Sequence, residues 1–268
     1  MKSMIRGVQL SYEDTGNGPP VLLVHGFPLS RRMWRPQVEA LAAGGFRAIT
    51  PDLRGFGESD PPTDDWSLAM YADDLIALLD HLGVRQATIC GMSMGGYILL
   101  DLLKRYPERC SAAAFIVTKS GADDEAGKER RLALAREATT HGARVVADVF
   151  AKILFAAGTA ERVPELVKEA YGWMASTTAA GLSAGLLAMR GREDYTDLLP
   201  SIRIPSLVIG AECDQAIPSE NSRLLAERLS AVIMCMIPGG GHMVNMEQPE
   251  AFNSCLLEFL RRMRAKAE

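Results

Sequence analysis

Ser93 is the residue whose setting points most directly to chemistry. Residues 87–97 read Ala-Thr-Ile-Cys-Gly-Met-Ser-Met-Gly-Gly-Tyr, an apolar run that breaks at Gly91-Met92-Ser93-Met94-Gly95 and resumes as a helix-like stretch, Tyr97–Tyr106. A serine hydroxyl is a poor nucleophile in water. It becomes a useful one when held at an exposed, sharp turn, beside a base and next to backbone N–H groups that can receive negative charge. Glycines two residues either side of Ser93 permit such a turn, because side chains there would collide with the neighbouring strand and helix.

The five-residue pattern alone is not decisive. At this glycine and serine content, G-x-S-x-G arises by chance in roughly one chain in eight, and a second copy does occur at Gly181-Leu182-Ser183-Ala184-Gly185. That copy follows Ala175-Ser176-Thr177-Thr178-Ala179-Ala180, which offers no β-branched run for a strand, and leads into Leu186-Leu187-Ala188-Met189. Context predicts a nucleophile at Ser93 and a small residue in a helix at Ser183.

A nucleophilic serine needs a base, and the chain has four histidines. His25 follows the run Val21–Val24, His81 falls at a helix end and His141 lies beside Gly142 in a helix-rich segment. His242 ends Pro238-Gly239-Gly240-Gly241-His242 directly after the last apolar run, where a glycine-rich loop can bring an imidazole over the sheet edge. His242 is the predicted base. The base needs an acid to fix its tautomer, and Asp214, just beyond the run Ser206–Ile209, is the leading carboxylate; Glu212, Asp123 and Asp124 are rivals. Negative charge on a substrate oxygen would fall to the backbone N–H groups of Met94 and Phe27, the latter in His25-Gly26-Phe27-Pro28.

These residues need strand ends to hold them. Six apolar runs bounded by turn residues stand out: Pro20–Val24, Phe46–Pro51, Ala87–Cys90, Ala112–Val117, Ser206–Ile209 and Val232–Ile237. Amphipathic helical stretches such as Ala69–Leu82 separate most of them, which implies a parallel sheet covered by helices on both faces. Ile5–Tyr12 adds two short strands around Gly7, for about eight in all. Alternation fails between Thr118 and Thr196, where Asp123–Ala138, Arg144–Phe155, Val163–Met174 and Gly181–Met189 all read as helix. The expectation is a core of residues 1–119 and 197–268 with a helical cap inserted at 120–196. Phe150, Phe155, Trp173 and Met174 of that insertion are candidates for an apolar substrate pocket.

Composition sets outer bounds. A 268-residue chain with 48% hydrophobic residues supports one large α/β domain. A net charge of −4 without a long basic block argues against nucleic acid or anionic membrane as partner. The absence of a secretory pattern after Met1 predicts a cytoplasmic location, and the five cysteines, odd in number and without C-x-x-C spacing, read as reduced core thiols. Asp52-Leu53-Arg54-Gly55-Phe56-Gly57-Glu58-Ser59 lacks the Lys-Ser/Thr ending of a phosphate loop and reads as structural support.

Taken in order, the His-Gly-Phe-Pro, Asp-x-Arg-Gly-x-Gly-x-Ser, Gly-x-Ser-Met-Gly-Gly and Gly-Gly-His elements resemble the α/β-hydrolase superfamily, and within it the bacterial carboxylesterases. Asp194–Pro200 and Met246–Phe252 are similar to the 3-oxoadipate enol-lactonase-like branch, and Pro28 with the Ser-Met pair to cofactor-free perhydrolases. One departure is Ala211, where family members often carry Gly. The resemblance implies an α/β-hydrolase fold with a mostly parallel sheet and a helical cap, and a Ser93–Asp214–His242 triad acting on small esters without metal or organic cofactor. A lactonase would instead anchor a substrate carboxylate, with Arg130, Arg131, Arg190 and Arg192 as candidates; solvated helix faces explain these arginines equally well. A non-enzymatic ligand receptor that retains the triad is the alternative from another class. Oligomeric state is not legible.

Overall fold

The computed structural model of the chain describes residues 1–61 and 66–267. Its strands are β1 (Lys2–Ile5), β2 (Val8–Thr15), β3 (Pro20–Val24), β4 (Arg47–Pro51), β5 (Ala87–Met92), β6 (Cys110–Ile116), β7 (Ser206–Ala211) and β8 (Val232–Ile237). They form one eight-stranded sheet in the order β1-β2-β4-β3-β5-β6-β7-β8. β1 and β2 form an antiparallel hairpin through Arg6-Gly7, β2 pairs antiparallel with β4, and every pair from β4 onward is parallel. This is the α/β architecture expected from the apolar runs.

β3 shows why those runs are continuous rather than alternating. Val21 and Leu23 point into one buried layer and Leu22 and Val24 into the other, so both faces of the strand are covered. The covering helices are α1 (Arg35–Ala43), α2 (Leu68–His81) and α3 (Met94–Arg105), followed by α4 (Glu125–His141), α5 (Ala143–Phe150), α6 (Thr159–Arg162), α7 (Pro164–Ser176) and α8 (Ala179–Arg190). Then come α9 (Glu220–Arg228), α10 (Val244–Glu247) and α11 (Pro249–Ala267). Helices α4 to α8 occupy the stretch between β6 and β7, where the sequence loses its strand signal. No helix among the described residues is long and apolar enough to cross a membrane.

The loop read as support behaves as such. Asp52 accepts hydrogen bonds from the backbone N–H groups of Arg31 (2.8 Å) and Glu58 (2.9 Å). Arg54 forms a bidentate pair with buried Asp74 (2.8 and 2.7 Å), and Ser59 Oγ donates to the Asp52 carbonyl (2.7 Å). The cysteine expectation needs correction. Cys235 of β8 and Cys255 of α11 are joined in a disulfide, their Cα atoms 6.4 Å apart, while Cys90, Cys110 and Cys213 are free. The partners are 20 residues apart and meet only because α11 packs back across the edge strand.

Candidate active site

Ser93 sits between β5 and α3 with φ 53° and ψ −115°. For a residue with a side chain this conformation is strained, at a cost on the order of 1–3 kcal/mol, and it persists only where the surroundings enforce it. They do so here. Ser93 N–H donates to the Ile116 carbonyl (3.0 Å), and Thr118 Oγ1 donates to the Ser93 carbonyl (2.8 Å). The flanking glycines are required by contact: a Cβ on Gly91 would lie 2.3 Å from the Gly95 carbonyl oxygen, and one on Gly95 the same distance from that of Val24. Ser93 itself remains partly exposed and opens into a cavity of about 410 Å³.

His242 lines the same cavity. Its Nδ1 lies 2.8 Å from Asp214 Oδ2, and both side chains are almost fully buried. The other Asp214 oxygen accepts from the Ala216 and Ile217 N–H groups (2.8 and 2.9 Å), so the carboxylate is held at three points. Ala211 does not disturb this turn: it is buried at the end of β7, and its carbonyl accepts from Asp214 N–H (3.4 Å). The rival carboxylates are committed elsewhere. Glu212 accepts from Gly239 N–H (3.2 Å), and Asp124 caps α4 through Gly127 N–H (2.7 Å). Asp123 is gripped bidentately by Arg192 (2.8 and 2.7 Å) and also by Arg131. Burial would raise the Asp123 pKa, but the two arginines hold it well below the ordinary carboxylate range.

The expected oxyanion donors fall in place around Ser93. Met94 is the first residue of α3, so its N–H has no partner within the helix and lies at the positive end of the helix dipole. Phe27 is buried in the loop after β3, where its ring meets Phe56 (5.9 Å) and Phe150 (5.1 Å) edge-to-face. His25 fixes that loop. Its Nδ1 pairs with the Gly26 carbonyl (3.0 Å), and its Nε2 accepts from Leu53 N–H (3.0 Å), which sets the tautomer. Complete burial lowers its pKa, an effect that nearby Asp52 only partly offsets. His81 ends α2, exposed, and His141 ends α4 against Glu137 (2.9 Å).

The predicted pocket residues divide. Phe150 lines the cavity; Phe155, Trp173 and Met174 do not, and pack instead into the apolar cluster beneath the inserted helices. The apolar wall consists of Phe27, Val149, Ile153, Leu186, Met189 and Ile217. The opposite expectation to a purely apolar pocket is met on another side, where Lys119, Arg130 and Arg131 line the cavity. Arg192 does not line it: its buried guanidinium lies 4.3 Å from the Tyr97 ring centre and is bound by Asp123 and the Gly121 and Met189 carbonyls. Arg190 faces Glu129 (3.7 Å).

Glu247 is a positioning residue that the sequence reading passed over. One carboxylate oxygen accepts from Gly241 N–H (2.8 Å), next to the base; the other accepts from Ala156 N–H (2.9 Å) and Thr159 Oγ1 (2.6 Å). It therefore ties the histidine loop to the inserted segment. Its sequence signal was only its place five residues after His242.

Comparison with known proteins agrees with this geometry. Residues 19–249 match the family model described as alpha/beta hydrolase fold. A putative non-heme chloroperoxidase of Synechocystis sp. is 31% identical over 95% of both chains. A 3-oxoadipate enol-lactonase of Acinetobacter baylyi is 29% identical, covering 95% of this chain and 94% of the relative. Among solved structures, a thermophilic esterase from Thermogutta terrifontis, with malate bound, superposes with a TM-score of 0.94 at 35% identity over 98% of each chain.

Proposed function

Because this chain belongs to the α/β-hydrolase fold family, we propose that it is a serine hydrolase of small carboxylic esters acting through Ser93, His242 and Asp214. His242 takes the Ser93 proton as the hydroxyl oxygen attacks the ester carbonyl. Asp214 holds the imidazole in the tautomer with Nδ1 protonated and stabilises the imidazolium that forms. The tetrahedral oxyanion rests on the Met94 and Phe27 N–H groups, each such donor being worth about 3–4 kcal/mol of barrier. Collapse expels the alcohol with the proton from His242, and water resolves the acyl-enzyme by the same steps reversed. The helices of residues 120–196 serve as a cap over the reacting groups. A cavity near the low end of the usual ligand-pocket range favours short acyl chains.

The observation that carries this reading is the convergence on one cavity of a strained Ser93 and the buried His242–Asp214 pair. Opening a lactone uses the same steps with the leaving alcohol tethered, and the enol-lactonase relative makes it the second reading. A panel of aryl esters from acetate to hexanoate, with enol-lactones alongside, tests both. Turnover that disappears in Ser93→Ala supports the reading. Absence of turnover on every ester and lactone contradicts it and favours a ligand receptor.

A further inference from the structure

The charged wall of the catalytic cavity has no counterpart in the ester chemistry, which needs only Ser93, His242, Asp214 and two backbone donors. α4 turns Gly127, Arg130, Arg131 and Leu134 toward the cavity, the i, i+3, i+4, i+7 face of the helix, so two guanidiniums point inward with an apolar neighbour. Lys119, just beyond β6, adds an ammonium from the core side. Asp123 is the one carboxylate among the lining residues, and it is already matched in charge by the bidentate, buried Arg192. Lys119 (3.2 Å) and Arg131 also approach Asp123, so three positive charges face the cavity beyond what that pair neutralises. Among the described residues, Arg130 makes no ion pair or hydrogen bond, and its guanidinium is available to a ligand. This surplus stands in a protein of net charge −4, where a positive cleft concentrates anions against the overall field.

We infer that the substrate carries an ionised carboxylate in addition to its ester, held by Arg130 with Lys119 and Arg131, while its hydrocarbon portion rests on Val149, Phe150, Ile153 and Leu186. A carboxylate entering an apolar pocket unpaired would be strongly disfavoured, whereas paired with a guanidinium fork it gains charge-assisted, bidentate hydrogen bonds. The substrate class is thus the half-esters of small dicarboxylic acids and lactones bearing a carboxylate. The inference rests on acyl transfer at Ser93 for its kinetic arm, and the test has a second arm that does not.

The kinetic arm compares kcat/KM for monophenyl glutarate with that for phenyl pentanoate, a neutral ester of similar length. The glutarate half-ester should be preferred at least tenfold, and raising the salt concentration should erode the preference. In Arg130→Gln the ratio of the two kcat/KM values should fall by about 10–100-fold, through KM of the charged ester, as expected for loss of one charge-assisted contact. A wild-type preference for the neutral ester, or an unchanged ratio in Arg130→Gln, would overturn the inference. The binding arm titrates glutarate into the intact protein by calorimetry, with no turnover required. Binding that weakens at least tenfold in Arg130→Gln supports the anion site even if no ester is hydrolysed; no glutarate binding to the wild-type chain refutes it.

Discussion

The two G-x-S-x-G copies place the same five-residue pattern in opposite structural roles. At Gly91–Gly95 the glycines let β5, α3 and the β3 carbonyls close around a serine forced to positive φ. At Gly181–Gly185 they form an i, i+4 stripe on α8. A Cβ on Gly181 would lie 1.9 Å from the Gly55 carbonyl oxygen, and one on Gly185 would lie 2.9 Å from the rings of Phe27 and Phe56. Ser183 sits between them on another face, beside a shallow surface groove with Thr139 and Leu187. Glycine spacing in both copies reports close backbone approach. Only the strand-to-helix turn converts that approach into an exposed hydroxyl with N–H donors beside it. The second copy still bears on the site, since its glycines seat α8 against Phe27, whose N–H is an expected oxyanion donor.

The largest contrast between the copies lies in activity. Ser93→Ala should lower kcat on an aryl ester by about 10⁴–10⁶ with the fold intact, as when one member of a cooperating triad is lost. Ser183→Ala should change it less than about threefold, a small helix residue giving way to a better helix former. Next in size is the acid. Asp214→Asn should cost on the order of 10⁴ in kcat, because the imidazole loses its orienting acceptor. Asp123→Asn acts on the charged wall rather than on His242, so a comparable kcat loss there, with Asp214→Asn active, would transfer the acid role to the loop after β6. Glu247→Ala should fall below both, lowering kcat by roughly 10–100-fold through misplacement of the histidine loop, with Glu247→Gln recovering part of the loss.

Stability should separate the copies in the other direction. Gly181→Ala forces α8 away from the Gly55 loop, and overpacking of this kind costs about 1–3 kcal/mol, readable as a lowered Tm. Ser183→Ala should leave Tm almost unmoved. The smallest effect concerns His25, whose folded-state pKa lies below the ordinary value because it is buried. The unfolded chain then binds the extra proton first as pH falls. Stability from His25 should be complete above about 6.5, the ordinary histidine value, and decline as pH drops below it toward the folded-state pKa. Denaturant titrations at several pH values should show this slope, reduced in His25→Gln; an identical slope in the variant would assign it to other groups.

What was legible in the sequence tracks the physics of each element. Parallel strands buried on both faces read as apolar runs, so Pro20–Val24 and Val232–Ile237 matched the strands residue for residue. Ser93, Asp214 and His242 were legible because each lies just beyond such a run. The cavity wall was not. α4 buries only Gly127, Ala135 and Ala138, so its sequence shows no strong apolar stripe and does not reveal which charged face turns inward. Phe155, Trp173 and Met174 misled for the complementary reason: large apolar residues in an insertion can cover either the cavity or the core, and here they cover the core. The Cys235–Cys255 pair depends on how α11 packs across β8, which no local spacing records.

The most direct test of the central claim is to expose the protein to a fluorophosphonate and locate the adduct by peptide mass spectrometry. The reagent phosphorylates only a serine whose hydroxyl is activated by a base and whose oxyanion is stabilised, so it reports the complete constellation rather than the pattern. Stoichiometric labelling on Ser93, abolished in His242→Ala and absent from the peptide holding Ser183, is the expected result. Labelling of Ser183, or labelling of Ser93 that persists undiminished without His242, would contradict the account.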